Sequence, residues 1–199
     1  MKVKVCGLKH PNQTNSLSTL VDYVGFIYYE KSPRHVITAS PSAGKANRVG
    51  VFVNHNLEFI LARIKSDQLH AVQLHGDETP EFCTELQKHA QVIKAFGIDH
   101  SFDFNTLIAY EKCVTHFLFD TKSVNRGGSG KSYDWNILEQ YTGETSFFLS
   151  GGIGLDSINV IRKFNHPQLH AIDINSRFEI TPADKNIQSI QTFIHELNK

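Results

Sequence analysis

Short runs of β-branched and aromatic residues recur along the chain: VKVC (3–6), YVGFIYY (23–29), RVGVFV (48–53), HAVQLH (70–75), QVIKAF (91–96), HFLFD (116–120), SFFLS (146–150) and HAIDIN (170–175). Each reads as a strand, and their starts lie roughly 20–30 residues apart, the size of a βα unit. Helical periodicity fills most of the gaps. Leu57, Ile60, Leu61 and Ile64 follow i, i+3, i+4, i+7, and Ile187, Ile190, Ile194 and Leu197 share one helical face. Thr79 and Pro80 open a further helix, with Thr as N-cap and Pro at the first helical position. The stretches 99–110 and 156–163 are weaker helices. The gap at 8–22 is polar and poor in periodicity. The gap at 36–47 carries Ser-Pro-Ser and Gly44, so its helix should be very short or missing.

Eight strands alternating with helices imply parallel strands joined by crossovers. An open doubly wound sheet and a closed (β/α)8 barrel both satisfy that pattern. The count of eight favours closure, as does the lack of a longer crossover marking a chain reversal. The expected fold is therefore α/β, a single (β/α)8 TIM barrel over residues 1–199, close to the lower size limit for that architecture.

Composition narrows the function. Lys plus Arg and Asp plus Glu are equal, at 20 each, so no general charge draws the chain to nucleic acid or to an anionic membrane. An anion site must be local. The opening MKVKVCGLKH lacks the apolar core of a signal peptide, and no run of about 18 apolar residues exists to span a membrane. Cys6, Cys83 and Cys113 are scattered, which argues against a disulfide framework or a zinc site and fits a reducing cytoplasm. Among the 11 histidines only His166 and His170 stand at H-x-x-x-H spacing, and one such pair falls short of a metal's ligand set, so a metal site is not expected.

Function in either architecture sits at the C-terminal strand ends, and these are polar here. Period 2 places Lys4 with Cys6, Gln73 with His75, and Ala171 with Asp173, each opposite an apolar set that suits the helix layer. In a barrel, Cys6, His75, Asp120 and Asp173 would converge at one mouth. Each also has a plainer reading. Cys6 can be a small buried hydrophobe, Asp120 a turn initiator, His75 a packing residue and Arg34 a solvated loop charge. Gly151 and Gly152, between a strand and a helix, suit close backbone approach to a phosphate.

The stretch NRGGSGKS (125–132) comes within one residue of a P-loop. The opening glycine would fall at 125, where Asn stands. It also follows the sixth strand, and Tyr133-Asp134-Trp135 comes directly after it. The better reading is a mobile lid over the mouth, followed by a helix starting near Trp135 with Asp134 as N-cap.

Taken in order, KVCG (4–7), GFIYYEKSPR (25–34), VGVFVN (49–54), VQLHGDE (72–78), Asp120 followed by GGSGKSYDW (127–135), LSGGI (149–153) and DINS (173–176) resemble the phosphoribosylanthranilate isomerase family of tryptophan biosynthesis over nearly the whole chain. The resemblance implies an aldose–ketose isomerase that performs an Amadori rearrangement on a small phosphosugar. It implies no cofactor, no metal, no nucleic acid or membrane partner, and a monomer or homodimer. It makes Cys6 the general base and Asp120 the general acid. Arg34 would pair with the anthranilate carboxylate, Asp173 would lie near the ribose hydroxyls, and His75 would line the pocket. Gly151, Gly152, Asn175 and Ser176 would cradle the phosphate.

The chain departs from the family after the eighth strand, where Asn175-Ser176-Arg177 replaces the common Ser-Ser-Gly. Arg177 either supplies a charge in place of that glycine or points to solvent. Asp184 is expected as a first-turn acid of the last helix. The chemistry requires an upward shift for Asp120, expected from burial beside Phe119 and the lid. It also requires help for the Cys6 thiolate, expected from Lys4.

Overall fold

In the computed structural model, residues 1–37, 44–121 and 134–199 are described. Eight parallel strands close into a barrel in chain order: β1 (Lys2–Val5), β2 (Tyr23–Ile27), β3 (Asn47–Phe52), β4 (Ala71–Leu74), β5 (Gln91–Ile98), β6 (His116–Thr121), β7 (Phe147–Leu149) and β8 (Leu169–Ile174). Closure is made by β8 against β1, in a register that sets Lys2 beside Ala171 and Lys4 beside Asp173. The open-sheet alternative is thereby excluded.

Period 2 divides the core into two layers. Val3, Val5, Val72, Leu74, Phe117, Phe119, Ile172 and Ile174 face outward into the large cluster under the helices. Tyr23, Val49, Ala71, Ile93, Ala95, Leu118, Phe148 and Ala171 fill the barrel itself. Full burial of each large apolar side chain is worth roughly 1.5–3 kcal/mol, so the outer layer carries most of the fold.

The α-helices are α1 (Pro11–Leu17), α2 (Leu57–Ser66), α3 (Pro80–Gln87), α4 (Ile158–Lys163) and α5 (Ile187–Leu197). Asn56, Thr79 and Asn186 cap α2, α3 and α5 by accepting from backbone N–H groups of their first turns. The polar gap at 8–22 holds α1, started by Pro11 and seated on buried Thr14 and Leu17. The weaker helical stretch at 99–110 becomes a 3₁₀ segment, Phe104–Ala109, and a second one spans Trp135–Gln140. In both, an Asp side chain accepts from the N–H two residues on, a local bond that favours a tight turn. The second gap shows no helix among the described residues, and 38–43 lie outside them.

A feature without periodicity follows β8. Strands β9 (Glu179–Thr181) and β10 (Asp184–Lys185) form an antiparallel hairpin. Asp184 is therefore not a first-turn acid of α5. It accepts from Gln13 Nε2 at 2.7 Å, and Asn186 starts the helix. No described helix is long and apolar enough to cross a membrane.

Candidate active site

The C-terminal mouth gathers ionisable side chains from the ends of four strands, β1, β4, β6 and β8. Lys4 points inward from β1, is fully buried, and donates from Nζ to Asp173 Oδ1 at 2.9 Å. Asp173 Oδ2 accepts from Ser150 Oγ at 3.3 Å. Cys6, the next inward position, is 4% exposed at the strand end. Gly25 of β2 makes room for it, since a Cβ there would stand 2.9 Å from Cys6 Sγ and 3.3 Å from Lys4 Cε. Gly7 turns the chain away at φ +73°.

Burial pushes the Cys6 thiol above its ordinary value. Lys4 and Lys185 oppose that shift, and Asp173 adds to it. Lys4 alone therefore does not deliver a thiolate, because Asp173 shares its charge. Asp120 points inward from β6 and is pushed up to about 6, first by burial and then by Asp173; the Thr121 N–H and Lys4 pull the other way. Phe119 is not the cause, because it faces the outer core. His75 Nε2 stands 3.8 Å from Asp120 Oδ2, and its Nδ1 lies 3.1 Å from Gln73 Nε2.

The His75 loop is fixed from behind. Glu78 accepts from the backbone N–H groups of Asn54 and Gly76 and pairs with buried Lys94 at 3.3 Å. Lys94 in turn donates to the Gly76 carbonyl at 2.8 Å.

Arg34 is not a solvated loop charge. Its Nε lies 2.9 and 3.0 Å from the two Glu179 oxygens, and its Nη2 donates to Oε2 at 2.6 Å. Lys185 Nζ donates to Glu179 Oε1 and to Asn175 Oδ1, both at 2.7 Å. Asn175 thus points its side chain at Lys185, while Ser176 opens the 3₁₀ turn Ser176–Phe178.

Gly151 and Gly152 have φ of +97° and +63°. A Cβ on Gly151 would meet Thr121 Oγ1 at 2.4 Å, so only glycine brings the β7 end so close to β6. Arg177 lies across this loop. Its Nη1 donates to the Gly152 carbonyl at 3.1 Å and its Nη2 pairs with Asp156 at 2.9 Å. It thus ties the β7 and β8 loops together while partly facing solvent.

Cys6, Asp120, Asp173 and His75 converge as the strand periodicity requires. The 125–132 stretch, and with it the lid, lies outside the described residues; Trp135 after it is buried and Asp134 caps its 3₁₀ segment. Sequence reasoning missed Glu179 and Lys185, which sit on a hairpin with no repeating pattern. It also missed the Glu78–Lys94 brace, whose only sequence signal is a lysine at an outward, core-facing position of β5.

A family model described as N-(5'phosphoribosyl)anthranilate (PRA) isomerase matches residues 3–196. The chain is 42% identical over 207 residues to the N-(5'-phosphoribosyl)anthranilate isomerase of Parabacteroides distasonis, covering 99% of this chain and 93% of that one. The crystal structure of phosphoribosyl anthranilate isomerase from Thermotoga maritima superposes with a TM-score of 0.83 at 32% identity, covering 100% of this chain and 98% of that one. A structure of such an isomerase in complex with reduced 1-(o-carboxyphenylamino)-1-deoxyribulose 5-phosphate gives 0.81 at 30% identity, again with 100% and 98% coverage.

Proposed function

The chain belongs to the N-(5'-phosphoribosyl)anthranilate isomerase family, and on that premise we propose how its barrel mouth carries out the reaction. The protein isomerises N-(5'-phosphoribosyl)anthranilate to 1-(2-carboxyphenylamino)-1-deoxyribulose 5-phosphate, a step of tryptophan biosynthesis. Asp120 protonates the ribose ring oxygen. The C1–O bond breaks as the anthranilate nitrogen lone pair forms the iminium. Cys6 then takes the C2 proton, the electrons return to nitrogen, and the resulting enol settles as the ketose. Arg34 takes the anthranilate carboxylate, Asp173 the ribose hydroxyls, and His75 lines the pocket beside Asp120. Gly151, Gly152, Asn175 and Ser176 hold the phosphate, with Arg177 bracing their loops. Its site of action is the cytoplasm, consistent with three free thiols, of which Cys83 and Cys113 stay unbridged although their side chains meet.

One observation carries the assignment of acid and base. A single mouth holds a carboxyl that keeps its proton up to about 6 and a thiol, both within the field of the Lys4–Asp173 pair. Ordinary carboxyls titrate near about 3.9, too low for a proton donor at neutral pH. With the acid titrating below the base, the competent form, thiolate with protonated carboxyl, is a minority species. Substrate that desolvates Asp120 further enlarges that fraction.

The test is turnover of freshly made phosphoribosylanthranilate, followed by loss of its fluorescence, with wild type and Cys6→Ser. Loss with wild type and near-silence in Cys6→Ser support the assignment. A Cys6→Ser enzyme with a double-digit percentage of wild-type kcat removes Cys6 as base.

A further inference from the structure

The hairpin β9–β10 carries two charged side chains with almost no exposed surface, Glu179 at 4% and Lys185 at 0%. Among the described residues neither hydrogen-bonds to Cys6 or Asp120; Glu179 grips Arg34, and Lys185 grips Glu179. Glu179 accepts from Arg34 Nε and Nη2, from Lys185 Nζ, and from the Ala183 N–H at 3.1 Å. The last bond requires Ala183 at φ +72°, a conformation that costs a non-glycine residue about 1 kcal/mol or more. Gln13 of α1 holds the Lys185 backbone at both ends, accepting from its N–H at 2.9 Å and donating to its carbonyl at 3.0 Å. Arg34 itself passes over Gly7, where a Cβ would stand 2.7 Å from Arg34 Cδ and 2.8 Å from Asn175 Oδ1.

We propose that Glu179 and Lys185 are positioning residues for the carboxylate end of the substrate: Glu179 fixes one edge of the Arg34 guanidinium, and Lys185 keeps the group net positive. This rests on the reading of Arg34 as the carboxylate's partner. A guanidinium offers five N–H donors in a rigid fork. Glu179 occupies the Nε side, and no described residue places an acceptor on Nη1, so that end faces the ligand already oriented. Orientation alone is not enough. A closed Arg34–Glu179 pair is neutral and attracts a carboxylate weakly. Lys185, sharing Glu179 Oε1 with Arg34 Nε, makes the sum one positive charge. Burial lowers the Lys185 ammonium and Glu179 opposes that shift, while Arg34 and Lys185 hold Glu179 below the usual carboxylate range against burial. Lys185 also grips Asn175, so one ammonium ties the carboxylate end of the site to the loop assigned to the phosphate.

The test uses two unreactive ligands: the reduced product, 1-(2-carboxyphenylamino)-1-deoxyribitol 5-phosphate, and its phenylamino counterpart without the carboxylate. The ratio of their dissociation constants measures what the carboxylate contributes. Lys185→Met should shrink that ratio by roughly 10-fold or more, as for loss of a buried charge partner, with the carboxylate-free ligand changed far less. Glu179→Gln combined with Lys185→Met restores one net charge, so it should regain part of the ratio, short of wild type because the Arg34 edge is no longer fixed. Parallel weakening of both ligands, or a double variant worse than Lys185→Met, reduces the pair to scaffold and overturns the proposal. If wild type shows no preference for the carboxylated ligand, the reading of Arg34 fails first and the inference falls with it.

Discussion

The two ends of the barrel hold different titratable groups in opposite states. At the C-terminal mouth the buried cations and their partners are paired ions: Lys4 with Asp173, and Arg34 and Lys185 with Glu179. At the N-terminal end the groups are neutral and aromatic. The His116 and His170 rings lie with centroids 4.1 Å apart, tilted by 34°; Tyr23 Oη and His170 Nε2 lie 2.9 Å apart, and His116 Nδ1 and Ser146 Oγ lie 2.7 Å apart. Phe148 packs against Tyr23 and both imidazoles. Charge at the mouth is tolerated because each ion has a partner. At the base, burial and the neighbouring His170 and Lys2 keep His116 neutral, pushed down to about 4. One barrel thus spends stability on reactivity at one end and recovers it by packing at the other.

Disabling the acid or base should separate the two ends most widely. Asp120→Asn and Cys6→Ser are each expected to lose about 10²–10⁴-fold in kcat, the usual value of general acid or base catalysis, with KM comparatively intact. His116→Phe at the base should leave kcat near wild type. Steady-state kinetics on the three variants checks this.

Arg34→Ala comes next. It should raise KM by roughly 10–100-fold, the cost of losing a charge-assisted partner for a carboxylate. The kcat effect should be smaller. An unchanged KM would remove Arg34 from binding.

Acid should reveal the base. His116 titrates at about 4 in the folded chain and near about 6.5 when unfolded. Between those values the unfolded state binds more protons. The stability present above pH 6.5 is therefore lost as the pH falls toward 4, by at most about 3 kcal/mol from this group. His170, also held down by burial, adds in the same direction. Urea midpoints from pH 7 to pH 4 should fall in wild type and fall less in His116→Phe.

What the sequence made legible follows from local period. Eight strands, and the inward faces of Lys4, Cys6, Gln73, His75, Asp120 and Asp173, are readable because alternation repeats along each strand. Phe119 misled because its neighbour in sequence, Asp120, is on the opposite face. The turn of His170 toward His116 depends on the register shift between β7 and β8, where Phe147 pairs with Leu169 but Phe148 with Ala171. Single-residue shifts of that kind carry no composition signal. Glu179 and Lys185 were invisible for a different reason. Glu179 meets Arg34 across 145 positions, and no spacing rule connects them.

The smallest expected effect has the most informative sign. Asp120 is raised to about 6, above its unfolded value, so it costs stability at neutral pH: stability falls as pH rises from about 3.9 toward 6. Its neutral isostere should relieve that cost by about 1–2 kcal/mol, since an amide oxygen can still accept from the Thr121 N–H.

The decisive measurement is therefore a single comparison at pH 7, wild type against Asp120→Asn, recording both kcat and Tm. A kcat lower by at least about 100-fold together with an equal or higher Tm is the predicted result. A variant that keeps a double-digit percentage of kcat, or that loses activity and stability together, would contradict the assignment of Asp120 as a strained proton donor at the mouth.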